Sequence, residues 1–423
     1  MNAKSFPKGF WWGCATSSHQ VEGGNDNDWT QWEQRAGTIA DGTTAGEAAG
    51  WWAGAAEADL QQAADWGHTA TRMSVEWSRL EPSPGTFDDA AFDRYRAMLE
   101  HAGRLGLGRL VTLNHFTLPR WVAQRGAWLN PAIADWLGRF SEVCAERLGD
   151  VVERWATINE PSLVAMFGYA DVRWPPGLGN PLMFGKALTT MMRAHVQMVA
   201  GVKRAQADSD VGLILNMPRF DPARDSALDR GLAWLQDYTV SGALLHALRS
   251  DRMPPPFAPN ARIRGLSESF DWLGLNYYGR YAVKFSAGAA RQAFGVHVQP
   301  GSIRRGDTDW GQPCPEGMVA NLQRLAALGV PLLVTENGVY DNDDARRPAF
   351  IRSHIGALQA AVAEGLDVRG YFHWSLVDNF EWAEGWSTRF GLLALDRQTG
   401  RRTPRPSAEL FASICRNNGL GSM

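Results

Sequence analysis

Trp155-Ala-Thr-Ile-Asn-Glu160-Pro161 and Leu332-Leu-Val-Thr-Glu336-Asn337-Gly338 decide the reading of this 423-residue chain. Each is an apolar, β-branched run stopped by Pro or Gly, the pattern of a buried strand. Each also ends in a glutamate beside an asparagine. An unpaired charge is costly to bury, so a carboxylate at the end of such a strand needs a reason. Two of them in matching settings point to two glutamates acting on one bond.

Working outward, six more runs share the pattern: Trp11–Thr16, Thr69–Val75, Arg109–His115, Val211–Met217, Trp272–Tyr277 and Gly370–Ser375. With Trp155–Glu160 and Pro331–Glu336 they make eight. Between them lie stretches with helical spacing of apolar residues: Ala53–Trp66, Ala90–Leu105, Pro131–Leu148, Phe184–Ala205, Leu228–Leu248, Gly317–Leu328 and Ala349–Ala363, with a last helix after Pro406. Asn130-Pro131 supplies a cap and a first-turn proline, and Asp88-Asp89 puts negative charge on a helix start. Continuous apolar strands indicate a parallel sheet covered on both sides. Eight alternating with helices predict one (β/α)₈ TIM barrel over residues 1–423, a single catalytic domain with loop insertions at its C-terminal face. The rival, an open doubly wound sheet, usually carries a Gly-rich phosphate turn after its first strand. Trp12-Gly-Cys-Ala-Thr-Ser-Ser has none. Val283–Gly311 reads as a long irregular insertion between the sixth and seventh strands.

Composition narrows the function. A formal net charge of −3, with no basic run, excludes a nucleic-acid surface and gives no attraction to an anionic membrane. No apolar stretch reaches 18 residues, so no membrane span is expected. The start, Met-Asn-Ala-Lys-Ser-Phe-Pro-Lys, lacks the apolar core of a signal peptide. Cys14, Cys144, Cys314 and Cys415 form no CxxC pair and read as free thiols, so a cytoplasmic location is expected. No HExxH, GxSxG or P-loop occurs, so neither metal nor cofactor is expected.

In a barrel all eight carboxyl-terminal strand ends meet at one mouth, where active sites sit. Here those ends are His19-Gln20, Arg72, Asn114-His115, Asn159-Glu160, Asn216, Asn276-Tyr277-Tyr278, Glu336-Asn337 and Trp374. One polar strand end is commonly a satisfied ion pair; eight polar or aromatic ends in register are hard to explain as packing. Aromatic faces among neutral hydrogen-bonding groups suit a sugar, with hydroxyls at its rim and C–H bonds on its faces. Paired carboxylates suit cleavage of a glycosidic bond, one as a protonated acid and the other ionised.

At these residues the chain resembles glycoside hydrolase family one, the β-glucosidase family. The resemblance runs through Phe10-Trp-Trp-Gly-Cys-Ala-Thr-Ser-Ser-His-Gln-Val-Glu-Gly23, Arg72-Met-Ser-Val-Glu-Trp-Ser-Arg79, Thr157-Ile-Asn-Glu-Pro161 and Leu275-Asn-Tyr-Tyr278. It continues through Val334-Thr-Glu-Asn-Gly338, His373-Trp-Ser-Leu-Val-Asp-Asn-Phe-Glu-Trp382 and Arg389-Phe-Gly-Leu392. It implies a retaining β-glycosidase acting on β-glucosides, with galactosides and fucosides as secondary substrates and transglycosylation as a side activity. Glu160 matches the general acid/base and Glu336 the nucleophile. Gln20, His115, Asn159, Glu381 and Trp382 match residues that hold sugar hydroxyls. Trp374 matches the platform beneath the sugar, and Asn276 a residue near its 2-hydroxyl. Arg72 and Tyr278 match the pair that orients the nucleophile, and a cation and a phenol there would favour ionised Glu336. Repulsion from Glu336 should raise the pKa of Glu160.

Two departures and two alternatives complete the reading. Phe116 follows His115 where many members have Trp, which removes an indole N–H. The chain is short for the family, which implies trimmed loops around the leaving group. A 6-phospho-β-glycosidase is the runner-up, disfavoured because Glu381 would repel a phosphate and such enzymes usually replace the Glu-Trp pair. A catalytically inactive sugar-binding barrel is the second, disfavoured because both glutamates are present. Of the 19 tryptophans only Trp374 and Trp382 are assigned function, with Trp310 an aglycone candidate. His68, His195, His246 and His354 read as structural or surface residues, His19 as support for the site, and Glu57 and Asp59 as solvated helix charge. Asn216 stays open between a site residue and a strand-end cap.

Overall fold

The computed structural model describes residues 5–258, 261–289, 295–298 and 310–421. Eight strands carry the fold: β1 (Trp11–Ala15), β2 (Ala70–Ser74), β3 (Gly108–Asn114), β4 (Arg154–Asn159), β5 (Asp210–Asn216), β6 (Trp272–Tyr277), β7 (Leu332–Asn337) and β8 (Val368–Trp374). All pair in parallel, and β8 returns to β1 to close the barrel. The (β/α)₈ architecture is therefore as the strand pattern predicted, with each boundary within two residues. The register levels the strand ends: Ala15 pairs with Trp374 and Arg72, Asn216 with Asn276, and Asn276 with Glu336.

Two apolar layers hold this sheet. Inside the barrel, Ala15, Ala70, Leu110, Ala156, Ile214, Trp272, Leu333 and Phe372 form an apolar plug below the mouth. Three of these are alanines, and a Cβ on Gly212 of β5 would lie 2.3 Å from the Trp272 ring, so small residues make room for its indole. Outside, leucine, valine and aromatic side chains join strands to helices. Helices Ile133–Leu148 and Pro181–Ala205 approach so closely that a Cβ on Gly201 would lie 2.2 Å from the Gly138 carbonyl oxygen. Only glycine fits there.

The departures from the sequence reading have local causes. The expected helix Leu228–Leu248 is helical throughout, but as Ala227–Asp237 and Ala243–Ser250 joined by a wider π-turn at Tyr238–Gly242. Ala53–Trp66 becomes regular only from Ala56, because Gly54 sits at φ 111°. Ala132 N–H donates to Asn130 Oδ1, and Asp88 caps its helix by accepting from Ala91 N–H at 3.1 Å. Val283–Gly311 is not simply irregular. Arg280–Phe285 and Gly295–Val298 pair with each other, and Arg219–Pro222 joins them in a three-stranded sheet. Residues 290–294 and 299–309 of that stretch lie outside the described residues.

Asp59 overturns the reading as solvated charge. It is buried, accepting from Trp51 Nε1 at 2.7 Å and from Arg402 at 2.9 and 3.0 Å. The cation arrives from 343 residues away, so no local pattern could reveal it. Glu57, half-buried, is likewise paired, with Arg94. The four cysteines are free and buried. His68, His195 and His354 are core residues and His246 is exposed.

Candidate active site

The mouth is built on strand ends, so its side chains are fixed by the sheet. Glu160 follows β4 directly. Its N–H donates to the Ile214 carbonyl on β5, and its backbone sits at φ 49°, a left-handed conformation rare outside glycine. Phe116 (φ 72°), after β3, and Trp382 (φ 50°), after β8, share it. Three such residues at one barrel end mark a place where backbone strain is tolerated for geometry.

Arg72 on β2 is fully buried and makes the central connection. One guanidinium nitrogen donates to Glu336 Oε1 at 2.5 Å, the other to Asn159 Oδ1 at 2.7 Å, and Nε donates to Thr112 Oγ1. The Tyr278 hydroxyl donates to Glu336 Oε2. Asn276 donates to Glu160 Oε1 at 2.6 Å and to Asn159 Oδ1 at 3.1 Å, with its own carbonyl held by Thr335 Oγ1. Asn216 also donates to Glu160 Oε1, at 3.1 Å. The open question about Asn216 is thereby answered: it is a site residue.

The two carboxylates differ in their surroundings. Glu160 is pushed up to about 8, first by burial and then by the charge of Glu336, against the amides of Asn276 and Asn216. Repulsion, expected from the sequence as the cause, is the second one. Glu336 is also raised by burial, but Arg72, Tyr278 and Asn276 all pull it back down. The arrangement makes Glu160 the better acid to keep its proton and Glu336 the better group to lose it.

A second cluster lines the mouth. Gln20, on the short helix Ser18–Val21, donates to Asn379 Oδ1, to the Phe380 carbonyl and, at 3.4 Å, to Glu381 Oε2. Trp374 Nε1 donates to the same Glu381 oxygen at 3.3 Å. Burial holds Glu381 well above the usual carboxylate range. His115 lies nearly parallel to Trp374 and Trp382, with centroids 6.3 and 6.0 Å away. Burial and then Arg72 push its pKa well down, so the imidazole is neutral. His19 stacks on Trp382 at 5.5 Å and so supports the wall. Trp310 packs in T-shaped contact with Tyr278 and Phe390.

All eleven predicted site residues thus converge on one barrel end. Ten are buried, and Tyr278 is half-buried. Sequence reasoning missed Thr112, Thr335 and Trp174. The threonines carried no signal beyond strand preference. Trp174 sits in the turn Trp174-Pro-Pro-Gly177 after the Asn-Glu-Pro motif, placed by its own loop rather than by a strand.

A closed parallel barrel whose mouth pairs a high-pKa carboxyl with one held by a cation, inside an aromatic and amide-lined cleft, is that of a glycosidase. The chain belongs to glycosyl hydrolase family 1: the family model of that description matches residues 2–420. Beta-glucosidase A of Thermotoga maritima is 30% identical over 449 residues, covering 99% of this chain and 100% of that protein. A beta-galactosidase of Pyrococcus woesei is 30% identical over 498 residues, with 98% of each chain covered. Among solved structures, the beta-glucosidase from Thermotoga maritima in complex with glucoimidazole superposes with a TM-score of 0.91 at 29% identity, over 98% of this chain and 100% of that one.

Proposed function

We propose that this glycosidase cleaves terminal β-D-glucosyl residues by double displacement, with Glu160 as acid/base and Glu336 as nucleophile. The observation that carries the proposal is their unequal support: Arg72 and Tyr278 on Glu336, only neutral amides on Glu160. Glu336 attacks the anomeric carbon while Glu160 gives its proton to the departing oxygen, leaving a glycosyl ester on Glu336 and a free alcohol. With Glu336 esterified its charge is gone, and Glu160 becomes a stronger acid. It then takes a proton from water as that water attacks the anomeric carbon, releasing sugar and restoring both groups. A sugar hydroxyl in place of water gives transglycosylation.

Retaining pairs stand about 5–5.5 Å apart, whereas inverting pairs are spread further for a water. The shared influence of Asn276 on both carboxylates supports the close spacing. In this reading Gln20, His115, Asn159, Glu381 and Trp382 hold sugar hydroxyls, Trp374 lies under the ring, and Asn276 serves the 2-hydroxyl. The glucose-type relatives and a sugar-like inhibitor in a structural neighbour support a small-molecule glycoside as substrate. Galacto- and fuco-configured sugars are secondary substrates here, since Gln20 and Glu381 can meet either orientation of a 4-hydroxyl. Glu381 also speaks against 6-phosphorylated substrates. The four unpaired thiols support residence in the cytoplasm.

The test is a proton NMR time course on p-nitrophenyl β-glucoside, with the galactoside, fucoside and glucoside 6-phosphate run in parallel. The β-sugar is expected as first product, with the glucoside turned over faster than its 6-phosphate. An α-sugar appearing first would overturn double displacement.

A further inference from the structure

Trp174 belongs to no strand end, yet it completes the wall of the mouth. The turn that carries it is pinned to the segment after Glu160. Trp174 N–H donates to the Phe167 carbonyl at 3.0 Å, Leu178 N–H to that of Gly168 at 3.1 Å, and Asn180 N–H to that of Tyr169 at 2.8 Å. The ring packs against Phe116 at 4.7 Å, Phe167 at 5.0 Å, Trp29 at 5.6 Å and Trp382 at 6.2 Å. Only 8% of the residue is exposed. Four aromatic neighbours and three backbone hydrogen bonds leave the indole little freedom.

Its N–H is nevertheless free. It has no acceptor among the described residues, and it is not one of the indoles sealed in the interior without a partner, as those of Trp32, Trp128, Trp155 and Trp272 are. The same holds for Trp382, which it touches. Phe116 lies between Trp174 and His115, 4.7 Å from each, and carries no hydrogen-bonding group. Beside Phe116 the wall therefore offers two free indole N–H groups, that of Trp382, already read as a hydroxyl partner, and that of Trp174. A donor fixed beside a binding cleft, with no protein partner, is preorganised for an acceptor on a ligand.

We propose that Trp174 is a specificity-determining residue, donating its indole N–H to one hydroxyl of the terminal sugar on the side that Phe116 leaves without a donor. This rests on the glycosidase reading above and deepens it. Trp174 selects substrates that carry this hydroxyl; it takes no part in proton transfer. A neutral hydrogen bond of this kind contributes about 1 kcal/mol, so its loss is expected to change kcat/KM by roughly five- to tenfold.

The experiment compares wild type and Trp174→Phe on p-nitrophenyl β-glucoside and its four monodeoxy analogues. Phenylalanine keeps a ring and removes the donor. The expected result is a five- to tenfold loss of kcat/KM for W174F on the parent, carried mainly by KM. One deoxy analogue should show the same loss with wild type and no further loss with W174F, while the other three keep it. A W174F that matches wild type on the parent overturns the inference. So does a W174F that loses equally on all five substrates, because that marks a ring that only packs. Trp174→Leu, apolar and without a donor, is the second variant should W174F not fold, read by the same pattern across the analogues. A wild type that cleaves none of the five removes the glycosidase reading itself. A wild type that cleaves them while both variants stay indifferent to the deoxy position removes this inference alone.

Discussion

Two buried charge networks in this protein are built on opposite rules. Behind the loop after β8, Arg405 makes a two-pronged pair with Asp378, at 2.8 Å to each oxygen, and Asp378 also accepts from the N–H groups of Gly391 and Leu395. Nearby, Arg347 pairs with Asp344, which accepts both N–H and hydroxyl of Ser407. Each carboxylate there has a cation and further donors. At the mouth, the one cation among the described residues, Arg72, faces Glu336, while the hydrogen-bond donors to Glu160 and Glu381 are neutral. The balanced network fastens the C-terminal helix Pro406–Asn417 to the barrel. The unbalanced one leaves all three carboxyls with raised pKa values, Glu336 partly held back by its cation. Where burial is matched by countercharge the result is structure; where it is not, a proton is held ready for chemistry.

The sharpest way to break this comparison is to treat the two networks alike and read activity and stability separately. Glu336→Gln keeps the volume and removes the nucleophile. Turnover of aryl β-glucosides should fall by ~10⁴-fold or more, with no drop in melting temperature. Arg405→Met should do the reverse. It strands Asp378 without its cation, and breaking a buried pair costs about 3–5 kcal/mol. A large fall in melting temperature is expected, with kcat/KM of the folded enzyme at 20 °C close to wild type. If R405M lost activity without losing stability, the division between the networks would fail.

The unbalanced network was far more legible in the sequence than the balanced one. Glu160 and Glu336 end apolar strands, where a carboxylate stands out against its own neighbours. Because a barrel levels its strand ends, finding eight strands was enough to bring Gln20, Arg72, His115, Asn276 and Trp374 together. Arg405 sits in polar loop sequence where charge is ordinary, nothing beside Asp378 names its partner, and their pairing follows only from how the C-terminal segment folds back. Asp59 failed for the same reason, since Arg402 covers it from the far end of the chain. Trp174 escaped because turn residues are placed by their own loop rather than by the sheet. The three-stranded sheet around Arg280–Phe285 was missed because its strands are short and carry no continuous apolar run.

Glu160→Gln sharpens the comparison through pH. Glu160 is raised in the fold to about 8 from an ordinary value near 4.5. Below pH 4.5 the residue is protonated folded and unfolded, and the fold is undisturbed. Between the two values the unfolded chain releases this proton and the folded one keeps it, so stability falls as pH rises, until the folded pKa is passed. Glutamine removes the titration. E160Q should therefore melt several degrees higher than wild type at pH 8 and show little gain at pH 4.5. A gain of equal size at both would show that packing, not the buried proton, limits stability at the mouth.

The smallest effect tests the site most finely. Asn216 donates only to Glu160, whereas Asn276 also holds Asn159 and is held by Thr335. Asn216→Ala therefore removes one hydrogen bond that favours ionised Glu160 and leaves the rest of the network standing. The sign follows: without that donor the carboxylate is less well supported, and the pKa of Glu160 rises further. In kcat/KM this pKa sets the alkaline limb, a property of the coupled pair. That limb should move to higher pH by a fraction of a unit, while the acidic limb, governed by Glu336 beside Arg72 and Tyr278, stays where it is. Movement of both limbs together would mean that the two carboxylates share their surroundings more evenly than the hydrogen bonds imply. Movement of the alkaline limb alone would mean that Glu160 depends on its neutral amides, as the contrast with the fully paired Asp378 requires.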